Sequence, residues 1–563
     1  MTRLATTALE AFWGAGGDVV HLGPWCVPRD PGAARLAPDP WNDPAKVHLA
    51  RLEIEASFDE LMPGVAEILD AEAGGAKRPE RYWRILVGPW LLRFLHAVMD
   101  RQRRLEAALE SDPSLTTILL HEDDFRAPQD TYDYQYMVVA DHYNLALISD
   151  LARRVRPDFP AARLAPPPDP SASSALSGCI VDRAVRAVGP AAVGHSLFQN
   201  RRDNLALVAA CGGRYLPFTA NVPRPPATDI IRRRRLSAPR GLGALGALAA
   251  PLIFRHIPRL YLEGWSQASR EIRANWRRFP RVLASSTGWI FNEALKFAGA
   301  EFSLEGAALV GAQHGGNYGT DLDMPSERLE LTTPDFYSTW GWAEKRDLPD
   351  PGLSRRAAER TELRGADLLL ASNDFHIYPY LLYSCPFGAA VGSFHDAFAA
   401  LCGAAPSRLA GRTRVRLYPS DFGWSVRERV RARMPSVRFD RSPNLAAAAE
   451  SARLVVFSYL GTAFLELLAS GKPCLVYQAH AGARYRPEAE ADIAALKAAG
   501  LYFDDPHAAM KHVDAVFDEP ARWWDSPLTV AARRLWERKY AGCGENAIGA
   551  WSDALLALAE AGR

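Results

Sequence analysis

The chain has 563 residues, 48% of them apolar and 23% charged. That length favours two to four domains and that composition excludes a disordered chain. With 66 Lys+Arg against 65 Asp+Glu the net charge is +1, which excludes a whole-protein electrostatic grip on nucleic acid.

The first strand expected is 18–22, which runs into the turn Gly23-Pro24-Trp25-Cys26. A long helical stretch follows. It leads to the block Arg81-Tyr82-Trp83-Arg84-Ile85-Leu86-Val87-Gly88-Pro89-Trp90, which fits an aromatic-rich core helix with two solvated arginines. Strands are expected again at 116–120 and 137–141, and the proline-, alanine- and serine-rich segment at about 160–175 as a linker. Arg232-Arg233-Arg234-Arg235 stands beside the apolar stretch 241–254. That pairing suits peripheral contact with an anionic membrane surface, or a solvated helix end beside a buried helix. From about 280 the pattern becomes regular. Short β-rich runs at 281–286, 308–313, 335–340, 367–372, 389–393, 413–418, 436–440, 453–458 and 473–478 are separated by helix-length gaps. Such βα units build parallel sheets covered on both faces, so the class is α/β with two sheets.

The seven cysteines (26, 179, 211, 385, 402, 474 and 543) form no C-x-x-C pair, which suits a reducing compartment and excludes a disulfide framework and a structural zinc site. The N-terminal segment lacks the apolar core of a signal peptide, and the 241–254 stretch is shorter than the roughly 20 residues of a spanning helix. A cytoplasmic location is the expectation.

Ligands of a doubly wound sheet bind beyond the carboxyl ends of its strands, so three loops matter. The first is Gln313-His314-Gly315-Gly316-Asn317-Tyr318-Gly319, directly after a strand. Its glycines admit a ligand to the backbone, and His314 would act as a base or bind a phosphate or carboxylate. In the second, Ser458, Gly461 and Thr462 lie at or before the start of a helix whose free amides and dipole favour a phosphate. Glu466 follows Thr462 by four residues on the same face, where a carboxylate takes ribose hydroxyls, or is merely a solvated glutamate. In the third, Arg414 or Arg416 would meet a diphosphate or a sugar carboxylate, and Tyr418 or Trp424 would stack on a base. The same alternation also describes an edge strand. No P-loop, G-x-S-x-G elbow, G-x-G-x-x-G turn or H-E-x-x-H pair occurs. Asp321-Leu322-Asp323 spells a weak D-x-D in an apparent loop, and no metal site is expected.

The segment from 453–458 through Gly461, Thr462, Glu466 and Gly471-Lys472-Pro473 resembles the donor half of GT-B glycosyltransferases. Those enzymes have two Rossmann-like domains facing a nucleotide-sugar cleft. Ser458 stands where retaining members often carry a second glutamate. A longer resemblance covers most of the chain. It runs through Leu4-Ala5-Thr6-Thr7-Ala8-Leu9-Glu10, Leu22–Cys26, Arg81–Trp90, Leu262-Glu263-Gly264, Gln313–Gly319, Arg416-Leu417-Tyr418-Pro419 with Gly423-Trp424, and Gly461–Glu466. These blocks resemble a bacterial family of transferases associated with O-antigen and other surface-polysaccharide biosynthesis. More distantly, they resemble transferases of 3-deoxy-octulosonic or nonulosonic acids from CMP donors.

The resemblance implies an N-terminal Rossmann-like acceptor-side domain with helical insertions over 1–350, a donor domain over 351–527, and a helical tail over 528–563 that crosses back. It implies His314 as a catalytic residue at the cleft, and Glu263 either as a base for the acceptor hydroxyl or as a solvated loop carboxylate, the latter the stronger expectation. Gln313, Gly315, Gly316, Tyr318, Arg416, Tyr418, Ser458, Gly461, Thr462 and Glu466 would hold the donor. The expected activity is a metal-independent glycosyltransferase with a nucleotide-sugar donor, a glycan or lipid-linked glycan acceptor and no cofactor. A nucleotide-sugar epimerase or hydrolase, or a non-catalytic glycan-assembly binding protein, are the alternatives.

Overall fold

The structure of the protein is a computed structural model that describes all residues except 1, 15–16, 28–33, 170–188, 199–200, 219, 237–242, 277, 343–347, 349–364, 383–389, 479–483, 543–545 and 562–563. The expected boundary at 350/351 and the 170–175 part of the expected linker lie outside the described residues.

The chain opens with three short parallel strands, β1 (Arg3–Ala5), β2 (Val19–His21) and β3 (Arg35–Leu36). Two long helices follow, α1 (Pro44–Glu72) and α2 (Glu80–Ser111). Asp43 caps α1 by accepting from the Ala45 amide at 2.8 Å, and Pro44 takes the first helical position, where its missing N–H costs nothing. The aromatic block lies in α2: Tyr82, Trp83 and Trp90 are fully buried, while Arg81 and Arg84 reach outward to Asp335 and Glu80. A minor parallel pair, β4 (Leu119–Leu120) and β5 (Ala161–Ala162), follows.

The expected strand at 137–141 is a correction: the segment joins the helices Thr131–Met137 and Asp141–Val155. Asp130 accepts from the Asp133 amide at 2.7 Å and so nucleates helix just ahead of the β-branched pair Val138-Val139. The expected strand at 389–393 is corrected too: 389 lies outside the described residues, and Val391–Gly403 is a helix that buries Phe394, Phe398 and Leu401 at helical spacing.

A five-stranded parallel sheet contains β6 (Ala192–His195), β7 (Tyr215–Pro217), β8 (Val282–Ser285), β9 (Ala308–Ala312) and β10 (Phe336–Ser338), in the order β10-β9-β8-β6-β7. A six-stranded parallel sheet contains β11 (Asp367–Ala371), β12 (Thr413–Arg416), β13 (Arg438–Phe439), β14 (Ala452–Phe457), β15 (Cys474–Tyr477) and β16 (Tyr502–Phe503), in the order β13-β12-β11-β14-β15-β16. Both orders are those of doubly wound sheets. Strand order reverses between β6 and β8 in the first and between β11 and β14 in the second, and ligands bind at such reversals. The fold is α/β with two Rossmann-like domains.

The helix Pro527–Tyr540 packs on the second domain and buries Trp536. The last helix, Ala547–Ala561, lies instead on the first domain's sheet, where Trp551 and Leu555 join Ala192, Leu207 and Val282 in one core. The apolar stretch forms the helix Ala244–His256 against α1 and α2, so its apolar side chains are spent on the core. Among the described residues no helix is long and apolar enough to cross a membrane. In the neighbouring basic cluster, Arg232 pairs with Glu72 at 2.5 Å and Arg233 is buried on Glu263.

Removing a fully buried tryptophan costs about 3–5 kcal/mol through lost burial and the cavity left behind. Trp551→Ala is therefore expected to destabilise the first domain by about that amount in urea unfolding. A loss below about 1 kcal/mol would mean that the last helix does not cover this sheet.

Candidate active site

The loop that follows β9 leaves the first domain and seats itself on the second. The Gly316 amide donates to Thr462 Oγ1 at 2.7 Å, and Asn317 Nδ2 donates to the Leu460 carbonyl at 2.7 Å. A Cβ on Gly316 would stand 2.7 Å from the Thr462 nitrogen and 2.8 Å from the Gly461 carbonyl carbon, so only glycine fits. Further along, the Leu322 amide donates to the Arg484 carbonyl and the Arg486 amide to the Thr320 carbonyl, at 2.9 Å each. The carboxyl ends of the two sheets therefore meet where β9 and β14 end.

On the second domain, the helix Thr462–Ala469 starts one loop after β14, with Gly461 at its cap, and no side chain among the described residues caps it. Its first amides are the groups such a helix leaves for an anion. Gly471, at φ +75°, ends it, as glycine does where a left-handed residue is needed. Ser458 is buried at the reversal between β11 and β14 and donates to Ser372 Oγ at 3.0 Å. Glu466 is half-buried one turn into the helix.

On the first domain, His314 is about one-third exposed, and its Nδ1 lies 3.1 Å from Glu330 Oε1. The pair is an electrostatic contact without hydrogen-bond alignment. Glu330 is buried and accepts from Tyr318 Oη at 2.6 Å and Tyr337 Oη at 2.8 Å. Burial works against a charged His314, but the Glu330 carboxylate overrides it, so the imidazole pKa stands above its ordinary value. With Nδ1 turned to Glu330, Nε2 occupies the opposite edge of the ring.

The structure thus brings Gly315 and Gly316, the two residues that follow His314, against Gly461 and Thr462. It spends two other residues of the first loop on structure. Gln313 accepts from the Trp340 amide and Trp342 Nε1 at 2.9 and 2.8 Å and donates to the Gly315 carbonyl at 2.8 Å. Tyr318 is buried on Glu330. Arg416 sits at the end of β12, where it donates to Asp440 Oδ2 at 2.5 Å and to the Ser442 carbonyl at 3.0 Å. Tyr418 is half exposed, packs on Phe422, and lines a small cavity of about 120 Å³ with Asn373 and Asp374. Glu263 is not brought to the cluster: Arg233 grips both its oxygens at 2.7 Å, and the Asp229 amide donates to it at 3.1 Å. The D-x-D carboxylates are also taken, Asp323 by Arg51 and His48 and Asp321 by Asn317. Among the described residues no group of three or more His, Cys, Asp or Glu is arranged to hold a metal.

Two contributors were missed. Glu330 is 16 residues from His314 and its role depends on the folded loop. Arg93 is buried in α2, stacks over Phe291 at 5.1 Å, donates to the Pro89 carbonyl at 2.9 Å, and forms no ion pair among the described residues. Burial lowers its pKa, and its charge is one of those felt at His314. The signal was a lone arginine inside the apolar run Trp90-Leu91-Leu92-Arg93-Phe94-Leu95.

The sequence matches the family described as "LIC12162 family transferase" over residues 2–555. No curated protein matches it. Among solved structures it is similar to a mutant O-GlcNAc transferase of Thermobaculum terrenum, at 13% identity and a TM-score of 0.32 over 91% of this chain and 98% of that one. It is also similar to the spinosyn forosaminyltransferase SpnP, at 12% identity and a TM-score of 0.33 over 66% and 99% of the two chains. A third is MurG of Acinetobacter baumannii, at 10% identity and a TM-score of 0.26 over 66% and 99%.

Because the folded pKa of His314 is raised, its protonation adds stability that is complete below the ordinary histidine value of about 6.5 and fades as pH rises through the raised value. Glu330→Gln keeps an oxygen for the tyrosines and removes the charge. A histidine-detected NMR titration is expected to show the His314 pKa falling in this variant. An unchanged titration would mean that Glu330 does not set it.

Proposed function

We propose that this chain, which belongs to the LIC12162 family of transferases, is a glycosyltransferase whose donor site lies between its two Rossmann-like domains. The observation that carries the reading is the contact of Gly316 with Thr462, which joins a glycine-rich loop and an uncapped helix start at the carboxyl ends of both sheets.

A nucleotide-sugar supplies a diphosphate to the amides at the start of the helix Thr462–Ala469, and Glu466 takes its ribose hydroxyls. Tyr418 offers an exposed ring for the base. In the reaction, His314 Nε2 accepts the proton of the acceptor hydroxyl, and Glu330 stabilises the imidazolium that results. The acceptor oxygen bonds to the anomeric carbon, and the bond from that carbon to the phosphate oxygen breaks. The electron pair leaves with the nucleoside diphosphate, or monophosphate for a CMP donor. Its charge meets the helix amides and the field of Arg93, a buried guanidinium that lacks a carboxylate partner among the described residues. Arg416 is held by Asp440, so its charge is already half answered. The resemblance of the sequence blocks to surface-polysaccharide transferases supports a glycan or lipid-linked glycan as acceptor.

A thermal-shift panel of CMP, CDP, UDP, GDP, ADP and dTDP at millimolar concentration tests this reading, on wild type and Glu466→Ala, with and without magnesium. A ligand of the native state raises the midpoint by mass action. The expected result is a rise with one nucleotide, independent of magnesium and lost in Glu466→Ala. No rise with any nucleotide would contradict the reading and favour a non-catalytic assembly protein.

A further inference from the structure

The first domain has a reversal of its own, between β6 and β8, and a cavity of about 670 Å³ opens beyond the carboxyl ends of those strands. That volume is in the range of small-molecule sites, roughly 300–1,000 Å³. Its lining comes from the first domain alone. β9, whose following loop carries His314, is the neighbouring strand to β8, about 5 Å across the sheet.

The charges around the cavity are mostly answered. Glu293 pairs with Lys296 Nζ at 2.9 Å and accepts from Tyr261 Oη at 2.7 Å, and Asp133 is held by Arg126 at 3.0 Å. Asp130 differs. One of its oxygens accepts from the Asp133 amide at 2.7 Å, and it forms no ion pair among the described residues. Burial, and then the neighbouring Glu293 charge, lift its pKa to about 6, so at neutral pH it stands as a carboxylate that resists a further negative charge. Arg224 also lines the cavity and shares Asp169 with Arg126 and Arg259. Beside Asp130, however, a phosphate is a poor occupant, and a ligand that donates hydroxyl hydrogens is a good one.

The cavity wall has the complementary apolar part. Tyr132 and Tyr136 are 52% and 59% exposed, stand edge to face with centroids 5.1 Å apart, and share a hydrogen bond between hydroxyls at 2.8 Å. Two large exposed rings, one turn apart on a seven-residue helix, give an apolar platform with a polar rim. Asn221 and Asn292 add amides to the lining, the latter 3.3 Å from His195 Nε2.

We propose that this cavity binds a neutral, hydroxyl-rich sugar unit, seated on Tyr132 and Tyr136 with its hydroxyls donated to Asp130. As the seat of the acceptor the site rests on the glycosyltransferase reading above; as a sugar site it stands without it.

Saturation-transfer NMR with the methyl glycosides of glucose, galactose, mannose and N-acetylglucosamine tests the site on the full chain. The samples are wild type, Asp130→Asn and the double variant Tyr132→Ala/Tyr136→Ala, each also run through the nucleotide thermal-shift panel. The expected result is saturation of at least one glycoside and affinity about tenfold weaker in both variants. No displacement by the nucleotide that raises the midpoint is expected, and that midpoint rise should be unchanged in the variants. Three outcomes would overturn the proposal: no glycoside binding, binding indifferent to the variants, or displacement by the nucleotide. Glycoside binding that depends on the variants without any nucleotide shift would uphold the sugar site and sink the glycosyltransferase reading instead.

Discussion

The amide of Gly316 donated into the hydroxyl of Thr462 is the constraint around which the two domains are arranged. The contact permits no side chain at 316, since a Cβ would press on backbone atoms of Gly461 and Thr462 that cannot turn aside. Asn317, at φ +72°, takes a left-handed conformation that asparagine tolerates and so reaches the Leu460 carbonyl. One neutral hydrogen bond contributes about 1 kcal/mol net, so these bonds set register more than stability. Arg486 adds to them by crossing to Glu327 and to the Asp321 carbonyl at 3.0 Å. The result is a glycine-rich loop and a helix start held together at the carboxyl ends of two parallel sheets.

Behind that contact lies an uneven distribution of buried charge. Glu330 has no arginine or lysine within ion-pair distance among the described residues and is satisfied instead by two tyrosine hydroxyls and the His314 ring. A buried carboxylate answered mainly by neutral donors holds its charge strongly for a neighbour, which is how it raises the imidazole pKa. Arg93 is the opposite case, a buried cation whose one hydrogen-bond acceptor among the described residues is the Pro89 carbonyl. Leaving a charge buried and unpaired is costly, and proteins commonly keep such groups where a ligand completes them.

Much of the second domain was legible in the sequence. Its central strands β11, β14 and β15 are largely apolar runs; four of its six strands lie within expected segments, and β14 begins one residue before its own. The sixth, β16, is only Tyr502–Phe503 and offers no period to read. The first domain was harder. β6 is Ala192-Val193-Gly194-His195, whose small residues make room for Tyr215: a Cβ on Gly194 would stand 2.3 Å from its hydroxyl. That is a packing fact with no local signature. The expected strands at 137–141 and 389–393 failed because a cap at Asp130 and helical spacing at Phe394 and Phe398 outweighed β-branched composition.

At the site, the loops were found and some side-chain roles were not. Glycine and the helix start act through backbone, so sequence position suffices to place them. Gln313 and Tyr318 turn inward to Trp340, Trp342 and Glu330, and Glu263 answers Arg233 thirty residues earlier. Such pairings exist only after folding. The most direct measurement is a crystal structure of the chain with the nucleoside diphosphate or monophosphate that raises its melting midpoint. The expected density places the phosphate against the amides of Thr462 and Ala463, with Glu466 on the ribose and His314 facing the same cleft. A nucleotide bound away from that junction, for instance in the cavity between β6 and β8, would contradict a donor site between the domains.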